Sequence, residues 1–240
     1  MMVIQANGLD HRALNEAIRG ASGDVTLEGC LGQRFIGAGM SGIDVTINGV
    51  PGNALGAYLN GAAINVSGNA QDAVGDTMNG GEIIVRGDVG DAAGYAMRGG
   101  EIWVAGNAGY RAGIHMKEYK EKVPVIVIGG HAGSFLGEYQ AGGVIVVLGL
   151  SDDGARIVGN FPCTGMHGGK MILRSDCAGV EFPAQVSVRA ATPDDTAEIR
   201  RYVSKYCRLF GKDEDEIMDA PFTIVTPEGK NPYKQLYAAN

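Results

Sequence analysis

The chain has 240 residues, of which 45% are hydrophobic and 20% charged, with a net charge of −7 at pH 7. No basic patch stands out, which argues against nucleic acid or an anionic membrane as partner. No apolar run approaches the ~18 residues of a membrane span, and the N-terminus lacks a charged-then-apolar signal, so the expected location is the cytoplasm.

Glycine is the outlier in composition, at 39 of 240 residues, roughly double the ~7% average and without a collagen triplet. The four cysteines, Cys30, Cys163, Cys177 and Cys207, form no Cys-x-x-Cys pair. Zinc-ribbon and iron–sulfur spacings are therefore absent, and buried free thiols are expected.

Taken in order, the chain opens with a strand over 2–5 and a short helix. Asp10 is its expected N-cap, with Leu9 and Leu14 as a hydrophobic staple, and Gly20 or Gly23 ends it. Such a helix would cover the open first turn of a stacked β structure. Val25 to Leu27 is a first strand, slightly out of register with the next segment.

From residue 53 to residue 106 the sequence repeats itself. Asn53-Ala-Leu-Gly-Ala-Tyr-Leu-Asn-Gly61, Asp72-Ala-Val-Gly-Asp-Thr-Met-Asn-Gly80 and Asp91-Ala-Ala-Gly-Tyr-Ala-Met-Arg-Gly99 are offset by 19 residues each time. Each phrase is followed by a strand-like run closing on a corner glycine, Gly68, Gly87 or Gly106. A fixed period near 20 is the signature of a solenoid.

The repeat aligns into columns. Gly37, Gly56, Gly75, Gly94 and Gly113 form one, and Met40, Leu59, Met78, Met97 and Met116 another. Paired apolar columns come next, Val45/Ile47, Ile64/Val66, Ile83/Val85 and Ile102/Val104, whose spacing of two sends both side chains to one face of a strand. The Met column, with Met78 and Met97 as examples, is expected to point inward opposite the Ile/Val columns. Later turns continue more loosely through Val125/Val127 with Gly129, Ile145/Val147 and Met171/Leu173, interrupted by insertions at 117–122 and 151–156. About seven turns result, a rod on the order of 30 Å long at the ~4.8 Å spacing of strands.

Between the inward columns lies one outward residue per turn: Thr46, Asn65, Ile84, Trp103, Ile126, Val146 and Ile172. The last five form an apolar stripe that needs covering, either by the chain's own C-terminal helix or by a partner subunit. That helix is predicted from Pro193, with Thr192 as N-cap, to Phe210, and Gly211 stops it. Its apolar face is Ile199, Tyr202, Val203, Tyr206, Leu209 and Phe210. Gln185 to Arg189 reads as a last strand, and Asp213 with Glu216 as a capping box on a brief second helix. The tail from Phe222 to Asn240 is expected to lie along the solenoid. The expected organisation is an N-terminal cap (1–22), the solenoid (23–185) and a C-terminal helical extension (186–240).

No catalytic, cofactor-binding or metal site assembles from these residues. Gly37-x-Gly39-x-x-Gly42 matches part of a dinucleotide fingerprint, but a repeat follows it rather than a helix. His115, His131 and His167 occupy different column positions. Asn69, Asp88 and Asn107 follow the corner glycines and suit a hydrogen-bonded ladder better than calcium, since only one is anionic. Glu82 and Glu101 share a column that other turns fill with Ala63 and Val144.

The phrase Gly-x-x-Met-x-Gly-Gly-x-Ile-x-Val-x-Gly-(Asn/Asp), at Gly75 to Asp88 and Gly94 to Asn107, resembles the Gly-x-Gly-x-Gly domain at the C-terminus of the glutamate synthase large subunit. The resemblance covers roughly residues 23–185, and a subunit of formylmethanofuran dehydrogenase shares the repeat. It implies an all-β fold, a right-handed parallel β-helix. In glutamate synthase this domain is structural and the chemistry lies elsewhere, so the resemblance transfers no catalytic residue. FMN and an iron–sulfur cluster are expected on partner subunits, not on this chain. The implied role is that of a scaffold holding a glutaminase subunit and an FMN-binding synthase subunit. The alternatives are a scaffold of a formylmethanofuran dehydrogenase-type redox complex and a free-standing hydrolase.

Overall fold

The structure, a computed structural model, describes residues 1–151 and 154–229. It is a parallel β-solenoid of about seven turns. Its broad sheet runs β1 (Met2–Gln5), β2 (Val25–Leu31), β3 (Val45–Val50), β4 (Asn60–Val66), β5 (Asn79–Val85), β6 (Gly99–Val104), β7 (Val125–Ile128), β8 (Ala141–Val147) and β9 (Gly168–Leu173), every neighbour parallel. Opposite lies a narrow ladder of single bridges through Ala70, Val89, Ala108, Ala132 and Val158. The two strips and the loops joining them enclose one apolar core.

The register follows the repeat. Ile64 pairs with Ile83, Ile83 with Ile102, and Val66 with Val85. Inside, Met78 and Met97 are fully buried in the same cluster as these residues. The loops close each turn by placing positive φ at every second residue, as at Ala54 (62°), Gly56 (65°) and Tyr58 (57°). This alternation lets one loop bond both neighbours: Ala54 N–H donates to Asp72 C=O of the next turn, and Gly56 N–H to Ile36 C=O of the previous one. Left-handed backbone disfavours residues with a Cβ, and it persists here because the stacked turns on either side determine it. The middle position is glycine for a second reason. A Cβ on Gly94, at φ +70°, would overlap Cδ1 of Ile126 in the next turn.

That contact also corrects the sequence reading. Ile126 points into the core, not outward: it pairs with Ile102, and Val127 pairs with Trp103. Ile126 and Ile128 are thus the inward pair, Val125 and Val127 face outward, and the corner glycine is Gly130, whose N–H donates to Gly106 C=O. All four residues of β7 are buried apolar side chains, so alternation carries no phase there. The insertion before β7 decides the phase, since Ile102 to Ile126 is five residues longer than one repeat.

The first turn is closed by α1 (His11–Arg19), capped by Asp10, whose side chain accepts from the N–H groups of Arg12 and Ala13. With no earlier coil below it, Gly37 N–H donates to Asn15 Oδ1 and Phe35 C=O accepts from Asn15 Nδ2. One buried carboxamide therefore stands in for the missing turn. β1 itself pairs in register with β2, so the sheet begins before residue 23.

At the other end the tail re-enters the sheet. β11 (Thr223–Pro227) lies antiparallel between β9 and β10 (Val186–Ala190), so the sheet also continues past residue 185. The tail beyond Gly229 lies outside the described residues. Between these strands the chain forms a 3₁₀ turn (Pro193–Asp195), α2 (Thr196–Phe210) and α3 (Glu214–Met218). Gly211 ends α2 in the left-handed conformation, and Asp213 caps α3 by accepting from Glu216 N–H.

Candidate interaction faces

The solenoid presents two broad faces, and the structure treats them differently. On the sheet face, α2 lies across the strands. Its N-terminal end is tied to β9 by Lys170–Glu198 (2.5 Å), and its C-terminal end to the end of β5, where Arg86 donates to Leu209 C=O. A 15-residue helix is about 22 Å long, close to the roughly 24 Å of five inter-strand steps from β5 to β11. Beneath it lie Ile84, Trp103, Val127, Val146 and Ile172, packed against Ile199, Tyr202, Val203 and Tyr206. Trp103 is 1% exposed. The outward stripe is thus covered by the chain's own helix, with Val127 in the place expected of Ile126.

Polar ties fix this cover. Lys205 of α2 bonds both Glu82 and Glu101 at 2.5 Å and sits 4.9 Å above the Trp103 ring. Glu101 also accepts from Trp103 Nε1 (3.0 Å). Burial works against the Lys205 charge, but the hydrogen bonds to the two glutamates outweigh it and raise its pKa. Tyr206 donates to Ala105 C=O (3.0 Å), and burial pushes its own hydroxyl pKa upward. The shared Glu82/Glu101 column is therefore a helix anchor.

An open cleft of about 680 Å³ lies between α2 and the insertion before β7. Lys170 is engaged with Glu198, Glu118 with Gly143 N–H and Glu101 with Lys205, while Glu121 and Arg201 also line it.

Two side-chain ladders run along the solenoid. Asn69 Oδ1 accepts from Asp88 N–H, Asp88 from Asn107 N–H, and Asn107 from His131 N–H, at 2.7–2.9 Å. The acceptors bind backbone rather than one another, so the expected ladder is a side-chain-to-backbone one. The second ladder was not anticipated from sequence: Asp72 accepts from Asp91 N–H and Asp91 from Tyr110 N–H. Its signal is the Asn/Asp column that opens the repeat phrases, Asn53, Asp72 and Asp91. Among the described residues no three His, Cys, Asp or Glu side chains converge as metal ligands. The four cysteines are buried, and burial pushes the Cys163 thiol up to about 12.

The loop face is the open one. In the turns built on Gly94, Gly113, Gly137 and Cys163 it exposes Tyr95 (41%), Tyr110 (55%), Tyr139 (38%) and Phe161 (61%). Tyr95, Tyr139 and Phe161 belong to two columns along the solenoid axis. One is Arg111, Phe135 and Phe161, with the guanidinium 4.7 Å from the Phe135 centroid and the two phenyl rings 5.3 Å apart. The other is His115 and Tyr139, stacked 5.2 Å apart at 7°, with Tyr95 edge-on to His115. Tyr139 also lies beside Gly165, where φ is +69° and a Cβ would strike Cδ1 and Cε1 of the ring. Arg111 also pairs with Glu138 (2.9 Å), bracing the two columns together.

The remaining residues singled out from sequence fall in structural positions. Gly56, Gly75, Gly94 and Gly113 hold the positive-φ loop sites, and Gly68, Gly87 and Gly106 follow the strands. His131 meets the Asn107 ladder, while His167 Nδ1 lies 2.9 Å from Gly165 C=O. No helix among the described residues is long and apolar enough to cross a membrane.

Comparison with known proteins agrees with this architecture. A family model described as the GXGXG motif matches residues 16–227. An uncharacterized protein of Methanocaldococcus jannaschii is 39% identical over 250 residues, covering 98% of this chain and 96% of that protein. A chain of the formyltransferase/hydrolase complex of Methylorubrum extorquens, crystallised with methylofuran, superposes with a TM-score of 0.60 at 21% identity, covering 91% of this chain and 88% of that one. Stacked turns, loop glycines and matched length agree: this chain belongs to the GXGXG motif family.

Proposed function

We propose that this chain is the β-solenoid scaffold subunit of a split glutamate synthase, holding a glutaminase subunit against an FMN-binding synthase subunit. FMN and the iron–sulfur cluster then belong to the partners, and this chain contributes rigidity and docking surface. The observation that carries the scaffold role is the asymmetry of the two faces. The sheet face is sealed by the chain's own helix, whereas the loop face leaves a contiguous set of aromatic rings exposed. Monomeric soluble proteins rarely leave such a patch uncovered, and aromatic residues with arginine are enriched where subunits meet. The glutamate synthase assignment draws on the repeat resemblance.

A second reading is a scaffold in a formylmethanofuran dehydrogenase-type redox complex. The whole-length superposition on a chain of a formyltransferase/hydrolase complex favours it. Affinity isolation of the tagged chain from native cells separates the two. Co-isolation of a flavin-containing partner with glutamine-dependent glutamate formation supports the first reading. A molybdenum- or tungsten-containing partner supports the second. Recovery of the chain alone from a gently lysed extract overturns both.

A further inference from the structure

The cleft between α2 and the insertion before β7 lies close to where the chain leaves the sheet. β11 runs antiparallel to β9, with Thr223 opposite Leu173 and Val225 opposite Met171. Each further residue of β11 steps toward the start of β9, and the same register carries Pro227 level with Gly169. Gly169 and Lys170 line the cleft. Glu228 N–H donates to Gln185 C=O, so the chain is held to the sheet up to that residue. Eleven residues, Lys230 to Asn240, follow Gly229. From β11 across β9 and β8 to β7 is three strand steps, roughly 14 Å. An extended chain advances about 3.3 Å per residue, so about five residues cover that distance.

The cleft and the segment have complementary chemistry. Val125, Val144 and Tyr202 give the cleft apolar surface, and Val123 beside them is 45% exposed. Four carboxylates line it, Glu101, Glu118, Glu121 and Glu198, against two cations, Lys170 and Arg201. Lys170 pairs with Glu198, and Lys205 with Glu101, which leaves Glu118 and Glu121 against Arg201. The insertion's own lysines, Lys117, Lys120 and Lys122, do not line the cleft. Lys122 Nζ donates to Asn79 C=O, and Lys120 sits over the Tyr119 ring. The segment carries two lysines, Lys230 and Lys234, and no carboxylate side chain. It also brings three large apolar or aromatic side chains, Tyr233, Leu236 and Tyr237. Pro232 biases Asn231 toward extended backbone, which suits a strand-like crossing.

We infer that the chain's own segment from Lys230 to Asn240 docks in this cleft, with Lys234 on Glu118 and Glu121 and with Tyr233, Leu236 and Tyr237 over Val123, Val125 and Val144. A segment tethered this close is present at an effective concentration on the order of millimolar, so weak contacts suffice to hold it. Docked there, it braces the insertion against α2. The inference is independent of which complex the chain serves.

The test is site-specific photocross-linking of the full chain in native cells, with p-benzoylphenylalanine in place of Tyr237 and mass spectrometry of the linked peptides. The expected product migrates as a single chain and joins the segment to residues 118–125, 143–144 or 198–202. Lys234→Glu and Glu121→Lys should each lower its yield at least threefold. The two together should restore it, since the charges are then exchanged, whereas Glu16→Lys on α1 leaves it unchanged. An unaltered Trp103 emission maximum verifies that each variant folds, and Glu121→Gln replaces Glu121→Lys if it does not. A link to another part of this chain, a covalent dimer of two copies, an adduct to a different polypeptide, or no adduct overturns the inference. So does a yield indifferent to the single charge reversals, or a double variant no better than the singles.

Discussion

Gly94 backs directly onto Ile126 of the following turn, with the space of a missing side chain filled by the isoleucine Cδ1. The same relationship joins Gly75 to Ile102 and Gly113 to Ile145, so the glycine column makes room for the inward isoleucines of the sheet. Gly94→Ala should cost about 1–2 kcal/mol for a left-handed alanine, plus about 1–3 kcal/mol for overpacking. Thermal unfolding measures the sum. Ile126→Val in the same chain should recover part of the packing loss and none of the backbone loss. A Gly94→Ala protein as stable as the parent would remove the inward orientation of Ile126.

Met97 lies fully buried between loop and sheet. Met97→Leu keeps its volume and should cost less than about 1.5 kcal/mol. Met97→Asp places an unpaired charge in the core and should leave no cooperatively folding soluble protein. Denaturant melts of the two variants side by side are the measurement, and a well-folded aspartate variant contradicts the burial.

Tyr206 connects α2 to the sheet twice, by its ring against the Trp103 cluster and by its hydroxyl to Ala105 C=O. Tyr206→Phe should lose only the hydrogen bond, about 0.5–1.5 kcal/mol, whereas Tyr206→Ala should lose on the order of 3–5 kcal/mol. Trp103 reports the difference. Its emission should stay put in the phenylalanine variant and move to the red in the alanine variant as the helix lifts. An unshifted Trp103 in Tyr206→Ala means that the helix does not depend on this residue for its seat.

Acid should act at the start of that helix. Asp195 takes two hydrogen bonds from Arg189, at 2.6 and 2.8 Å, and two more from the N–H and hydroxyl of Thr192. The Arg189 bonds, then those of Thr192, hold its carboxyl far below the ordinary 3.8. A depressed folded-state pKa stabilises the fold above the unfolded value and is lost as pH falls through the folded one. Stability should therefore decline below about pH 4, and the decline should be shallower in Arg189→Gln. Urea midpoints measured between pH 5 and pH 2 check both; identical slopes in parent and variant refute the assignment.

How far sequence alone reaches depends on whether a feature repeats at one offset. The 19-residue period places the glycine and methionine columns, the inward Ile/Val pairs and the Asn69–Asp88–Asn107 ladder, because stacked turns must superpose equivalent residues. The end of α2 is equally legible, since Gly211 is a local signal, whereas Thr192 and Pro193 open the 3₁₀ turn that leads into the helix at Thr196. What tertiary structure decided begins where the period breaks. β7 is apolar on both faces, so only the length of the preceding insertion could show that Ile126 faces in and Val127 out. Tyr95, His115, Tyr139 and Phe161 come from turns of unequal length, and no single offset lines them up. The cover over Trp103 was open between helix and partner because an amphipathic helix records that its face is buried, not against what. Periodicity constrains neighbours along the stack; which faces then meet is set by packing between segments far apart in the chain.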